Sequence, residues 1–156
     1  MTLSRTKSEF HRKTAIECFN RAWDYLDAKE RTSKDNQEML NLVHASRYHW
    51  GLVGTATNLA VGDWQISRAY ADLGQPQLAL QFAESCLETC QKNGLEDIMH
   101  TASEAMARAY AVAKDYTRAR KYLSTARKQL DELTLSKEDR QSYLDQIRKT
   151  ERLTKA

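Results

Sequence analysis

The chain is poor in structure breakers: 156 residues hold one proline, Pro76, and five glycines, and the residues between them are mostly strong helix formers. That scarcity excludes a loop-rich or low-complexity chain, so a mostly helical protein with short connections and no sheet is expected. Cysteine is also scarce. Cys18, Cys86 and Cys90 are odd in number and lack a paired metal-type spacing, which argues against a disulfide framework and suits a reducing compartment. No stretch approaches the roughly 20 apolar residues that a spanning helix needs, and Met1 to Phe10 hold no apolar run ahead of the first charges. A cytoplasmic protein that makes no use of membranes is the expectation.

Signatures of catalysis are absent as well. There is no His-Glu-x-x-His, no phosphate-cradling glycine loop, no dinucleotide fingerprint and no nucleophile elbow, so the sequence leans away from an enzyme and implies no cofactor. His44 and His49 are five residues apart, about 140° around a helix, which does not suit one shared metal. Cys86 and Cys90 share a helix face, but without a nearby histidine they read as core.

What the chain does contain is a repeat. Arg-Ala-Tyr-Ala occurs at 68–71 and again at 108–111, forty residues on, and Ile66, Ala79, Phe82 and Cys86 recur in register as Met106, Ala119, Tyr122 and Ala126. A further step back by forty sets Met39, Leu42, Val43 and Ser46 under Ala79, Phe82, Ala83 and Cys86. One supersecondary unit is used more than once, and 41% hydrophobic residues suffice for a continuous core in a single domain over 1–156.

Periodicity divides the chain into seven helices. Ile16, Phe19, Trp23 and Leu26 form one stripe on a first helix ending near Lys29, and a connection over 31–36 leads to an Asp35-x-x-Glu38 capping box that opens a second helix running to about Trp50. Thr55 caps a third that Gly74 ends, and Pro76 opens a fourth that Asn93-Gly94 closes. The fifth is expected from about Glu96, the sixth after Asp115 and the seventh after Ser136. The hairpins so defined are 8–52, 56–93 and 95–133, followed by a polar capping helix over 136–154 whose core face is Tyr143, Leu144 and Ile147.

The two better units resemble tetratricopeptide repeats. Their pattern of a large apolar residue, a small one, a tyrosine three further on, a turn, and small residues along the second helix is met by Ile66, Ser67, Tyr70, Gly74, Ala79 and Cys86, then by Met106, Ala107, Tyr110, Lys114, Ala119 and Ala126. The period is forty rather than about 34, and the closing proline is missing. The resemblance covers about 60–130 well and implies an all-α fold, a right-handed superhelical stack of antiparallel helix hairpins with a concave groove. The first fifty residues fit as a degenerate opening hairpin.

Carried over by motif, the groove is lined by Trp64, Gln65, Arg68 and Asp72 from one unit and Thr101, Glu104 and Arg108 from the next. Two arginines side by side suit a carboxylate or phosphate, so the expected partner is a protein or peptide with an acidic group or C-terminal carboxylate, held by a non-catalytic scaffold. Glu104 and Arg108 can equally pair along their own helix while Arg68 stacks on Trp64. A rival pocket gathers His44, Arg47, Tyr48, His49 and Asn58 at the junction of the first two hairpins, as a small-molecule sensor or enzyme would, although Tyr48 and Trp50 can also be core.

Charge is uneven beneath a net +3: residues 51–113 hold three Lys or Arg against seven acids, and 114–156 hold twelve against seven. Lys114, Arg118, Lys121 and Lys128 form a basic stripe on the sixth helix. Without interleaved aromatics it reads as a solvated face rather than a nucleic-acid surface. With about three repeats, self-association through the ends stays open.

Overall fold

The computed structural model describes residues 2–155, and among them the chain is all-α: seven helices and no strand. These are α1 (Arg5–Leu26), α2 (Ser33–Val53), α3 (Ala56–Asp72), α4 (Pro76–Lys92), α5 (Met99–Val112), α6 (Tyr116–Asp131) and α7 (Lys137–Leu153). Each helix packs on the next in sequence, and the odd-numbered helices also touch one another, α1 with α3, α3 with α5 and α5 with α7. Among the described residues no helix is long and apolar enough to cross a membrane.

Local chemistry sets the boundaries. Thr32, not Asp35, is the N-cap of α2: its hydroxyl accepts from Asp35 N–H while the Asp35 carboxylate accepts from Thr32 N–H, so the capping box lies three residues earlier than Asp35-x-x-Glu38 suggested. Both tetrads satisfy the pattern, and the earlier one satisfies backbone donors sooner. Thr55 and Asn58 form a second box at α3, and Ser136 and Asp115 cap α7 and α6. Helix α2 runs on through Gly51 to Val53 before Gly54, and α5 starts at Met99 rather than near Glu96 because Leu95 to Ile98 are held in turns.

The forty-residue register is written into the helix ends. Gly74 and Lys114 both take left-handed φ, 69° and 65°, and each turn is closed alike: Gln75 N–H donates to Tyr70 O at 3.0 Å, and Asp115 N–H to Tyr110 O at 2.9 Å. Lysine adopts at the second site what glycine adopts at the first. The tyrosines that close these turns stack alike, Tyr70 on Phe82 and Tyr110 on Tyr122, both at 5.8 Å between centroids.

Burial repeats with the same period on the even helices. Met39, Ala79 and Ala119 are buried, as are Val43, Ala83 and Leu123, then Ser46, Cys86 and Ala126, then Trp50, Cys90 and Leu130. Alanine at 79 and 119 lets the two helices of a pair approach closely, where a longer side chain would hold them apart. Small buried hydroxyls are used in the same spirit: Ser46 Oγ donates to Ala15 O and Ser67 Oγ to Ala79 O, each at 2.8 Å, tying α2 to α1 and α3 to α4.

Helix α7 is fastened by polar side chains as well as by its apolar stripe, Tyr143, Leu144 and Ile147. Ile147 is buried among Leu123, Ala126 and Leu130, and around it Arg127 grips Glu151 at 2.7 Å, Arg120 reaches Thr154 O at 3.1 Å, and Arg140 donates to the carbonyls of Leu130 and Leu133 at the end of α6. That arrangement presents Gln146 and Thr150 to α3 and α5, which matters for the site.

Candidate functional site

Two buried arginines and two carboxylates sit together on α3 and α5. Glu104 is 3% exposed, and its Oε1 accepts from Arg108 Nε at 3.0 Å and from Thr150 Oγ1 at 2.6 Å, while Oε2 accepts from Trp64 Nε1 at 3.0 Å. Arg108 Nη2 also lies 2.9 Å from Oε1, but off the hydrogen-bonding axis, so that contact is ionic rather than a second directed bond. Burial alone would push the Glu104 carboxyl up; Arg108, the Thr150 and Trp64 donors and Arg68 outweigh it and hold the group below its ordinary value. Glu104 is therefore ionised within the fold.

Arg68 occupies the matching place on α3. It is 6% exposed, donates to Gln146 Oε1 from α7, lies 3.6 Å from Asp72 and sits over the Trp23 ring at 5.7 Å. Asp72 is also 3.9 Å from Arg108, so two cations and two anions balance. Side-by-side arginines are present, but neither guanidinium is offered to solvent. The pairing of Glu104 with Arg108 along α5 occurs as the spacing allows; the ring beneath Arg68 is Trp23, while Trp64 tilts against Trp23 at 5.6 Å and gives its N–H to Glu104. Gln65 is buried and donates to Phe19 O at 3.0 Å.

Beside this network lies a cavity of about 290 Å³ where α1, α3, α5 and α7 meet. Phe19, Trp23, Trp64 and Tyr143 give it aromatic walls, Val61, Ile98 and Ile147 aliphatic ones, and His100, Thr101, Glu104, Ser142 and Gln146 its polar groups. Of the expected groove residues, Trp64, Thr101 and Glu104 line it, whereas Arg68, Arg108, Gln65 and Asp72 lie behind or beside it. A second cavity of about 210 Å³ shares Phe19 and Val61 with the first and continues to Ile16, Asn20, Trp50, Asn58 and Gly62.

His100 forms part of the first cavity's wall, edge-on to Tyr143 at 4.4 Å, and its Nε2 is buried without a partner. Burial lowers its pKa, against the opposing pull of the Asp97 carbonyl, Glu104 and Asp97, so the ring is neutral. Its Nε2 thus keeps a hydrogen-bonding position that no protein group fills.

The five residues of the rival pocket do not converge. His44 Nε2 meets Tyr70 Oη at 2.9 Å, Arg47 donates to Asp63 at 2.9 Å, Tyr48 is 64% exposed, His49 Nδ1 lies 2.8 Å from His11 Nδ1, and Asn58 caps α3. Asn58 lines the second cavity with Trp50, and the others face separate neighbours. Asp63, which also accepts from Ser85, ties α2, α3 and α4 together. Cys86 is a buried thiol whose contact with Cys90 and whose burial both raise its pKa, as suits core packing. Lys114, Arg118, Lys121 and Lys128 are exposed.

Several contributors were not legible as site residues. Phe19 and Trp23 read as core, and α7 read as a cap. A signal existed in α7: Tyr143, Gln146, Ile147 and Thr150 fall at i, i+3, i+4 and i+7, a stripe mixing amide and hydroxyl with apolar groups, which is what a helix facing a polar interior needs. Comparison with known proteins adds no analogy, since no protein family, no curated protein and no solved structure matches the chain.

Proposed function

We propose that the chain is a non-catalytic, tetratricopeptide-like binding module, a superhelical stack of antiparallel hairpins that holds a segment of a partner protein against its odd-numbered helices. The observation that carries this reading is the pair of adjoining aromatic-lined cavities over α1, α3, α5 and α7, with Phe19 and Val61 common to both. Apolar walls with a few convergent polar groups suit recognition of side chains. Two neighbouring pits on one face suit a segment that inserts two anchors.

The arginine pair enters this reading as support rather than as the contact. A carboxylate would have to displace Glu104 or Gln146 to reach either guanidinium, stranding a buried charge or amide. Recognition is therefore assigned to the cavities, and the charged network holds Trp64 and Glu104 in place on the wall of the first.

Selection from a random displayed-peptide library on the wild-type protein, counter-screened on Val61→Trp, tests it. Val61 borders both cavities, so filling its place removes both anchor sites while leaving the arginine network untouched. Peptides that bind the wild type and lose at least about tenfold on the folded variant are expected. Failure to enrich any peptide, or equal binding to both proteins, contradicts the reading.

A further inference from the structure

We infer that the 290 Å³ cavity accepts an aromatic group carrying one hydrogen-bond donor, a phenol or indole of the tyrosine or tryptophan class, and not a carboxylate. The inference rests on the binding reading above and names the chemistry of the anchor. Size, wall composition and the sign of the polar groups each bear on it.

An apolar cavity of roughly 150 Å³ is enough to hold benzene, so one of about 290 Å³ has room for a substituted arene. Four aromatic rings surround it, and such walls favour edge-to-face contacts with a fifth ring. No lysine or arginine lines the space. Its charged wall residue is Glu104, which repels an anion, and the Arg108 and Arg68 charges behind Glu104 already neutralise it and Asp72, so a cation gains no unpaired counter-charge. A neutral ligand is the one that enters without stranding a charge.

The polar groups select for a donor. Glu104, the carboxylate on the wall, can only accept: its Oε2 takes one N–H, from Trp64, and keeps acceptor capacity, and His100 beside it has an Nε2 without a protein partner. A buried acceptor left unmatched is destabilising, and a ligand O–H or N–H corrects it. An isosteric ligand lacking that donor fills the same volume and leaves the acceptor orphaned.

The test uses 4-methylphenol and 3-methylindole, with 1,4-dimethylbenzene and 3-methylbenzothiophene as probes of matched size lacking the donor. Binding is followed by the movement of the Trp64 indole N–H resonance in NMR titrations. The inference expects at least one donor probe to bind and its donor-free partner to bind about tenfold or more weakly. Val61→Phe, or Ser142→Phe at the exposed rim if the first does not fold, should abolish the shift. Equal binding within each matched pair overturns the donor requirement, and absence of binding by both donor probes at millimolar concentration overturns the site. Binding that survives both cavity-filling substitutions in folded protein also overturns it. The two readings fail separately: if the probes behave as expected while no displayed peptide competes with them, the partner-segment reading falls and the cavity chemistry stands. If selected peptides bind here through aliphatic anchors and both donor probes fail, the reverse holds.

Discussion

Glu104→Leu should be among the most damaging single substitutions in the molecule, and the reason lies in what it strands. Arg108 is 5% exposed and directs Nε at Glu104, Thr150 is fully buried with its hydroxyl on the same carboxylate, and Trp64 gives it an indole N–H. Removing one partner of a buried ion pair typically costs about 3–5 kcal/mol because the other charge stays buried and uncompensated. Against a total stability of about 5–15 kcal/mol for a domain of ordinary size, that loss is at least about a fifth and at most the whole. Arg108→Met should cost about as much by stranding Glu104. The double variant removes both charges and leaves Arg68 with Asp72 as a balanced pair, so it should lose less than the two singles combined, with a coupling of about 2–3 kcal/mol. Urea unfolding of the wild type, both singles and the double, fitted with a common slope, gives the cycle. Additive losses, with coupling under about 0.5 kcal/mol, would refute the claim that these charges form one desolvated network.

Other expectations follow from single sites. Gly54 has an ordinary negative φ, but an added Cβ would meet Trp50 O at 2.7 Å and Asn58 Cβ at 2.9 Å, so Gly54→Ala should cost at least about 1 kcal/mol in urea unfolding, and a neutral result would contradict the close approach. Gly74 and Lys114 share one left-handed turn with different residues: Gly74→Ala should destabilise by about 1 kcal/mol and Lys114→Gly should be neutral or stabilising, a pair of opposite signs checked by thermal melts. Ala79→Leu forces a long side chain into a fully buried helix contact and should cost about 1–3 kcal/mol or abolish folding, whereas the same change at exposed Ala113 should be silent. Acid should weaken the fold below neutrality. Burial lowers the pKa of His44, of His49 (where the neighbouring His11 adds to it) and of His100, so their contribution is complete above the unfolded value of about 6.5 and is lost as pH falls through the lowered values. The urea midpoint should fall between pH 7.5 and pH 5, and a flat profile there would speak against neutral buried imidazoles.

The fold was largely legible because two periods coincide in this chain. The helical period gave seven segments, and the forty-residue period linked Ala79 to Ala119 and Cys86 to Ala126, positions that burial singles out. The same shift reached Met39, Val43 and Ser46 on α2, where burial follows the register although the sequence has drifted to larger or polar residues. Boundaries were less legible. Thr32-x-x-Asp35 and Asp35-x-x-Glu38 both fit a capping box, and α2 uses the earlier one, whose reciprocal bonds satisfy backbone donors sooner; Leu95 to Ile98 have helix-compatible composition yet are drawn into turns. Lys114 shows why composition misleads at helix ends: the closing hydrogen bond from Asp115 N–H to Tyr110 O imposes the left-handed turn whether or not glycine is present.

The charged residues on α3 and α5 were legible as neighbours and their burial was not, and the physical cause is that charge on a helix surface says nothing about which face will be covered. Arg68 with Asp72 and Glu104 with Arg108 are i, i+4 pairs that an exposed helix would also carry. Part of their cover comes from α7, a segment whose sparse apolar stripe suggests a loosely attached end, through Gln146 on Arg68 and Thr150 on Glu104. In the structure it spends that sparse stripe on Ile147 and uses Gln146 and Thr150 to satisfy Arg68 and Glu104, residues 78 and 46 positions away. A polar helix is thus the natural complement of a polar interior: an apolar α7 would leave the carboxylate and guanidinium without donors and acceptors, and the charges on α3 and α5 would in turn be intolerable beneath it. The composition that made α7 look like a cap is what supplies partners to the network and leaves the aromatic cavity open between α1, α3, α5 and α7.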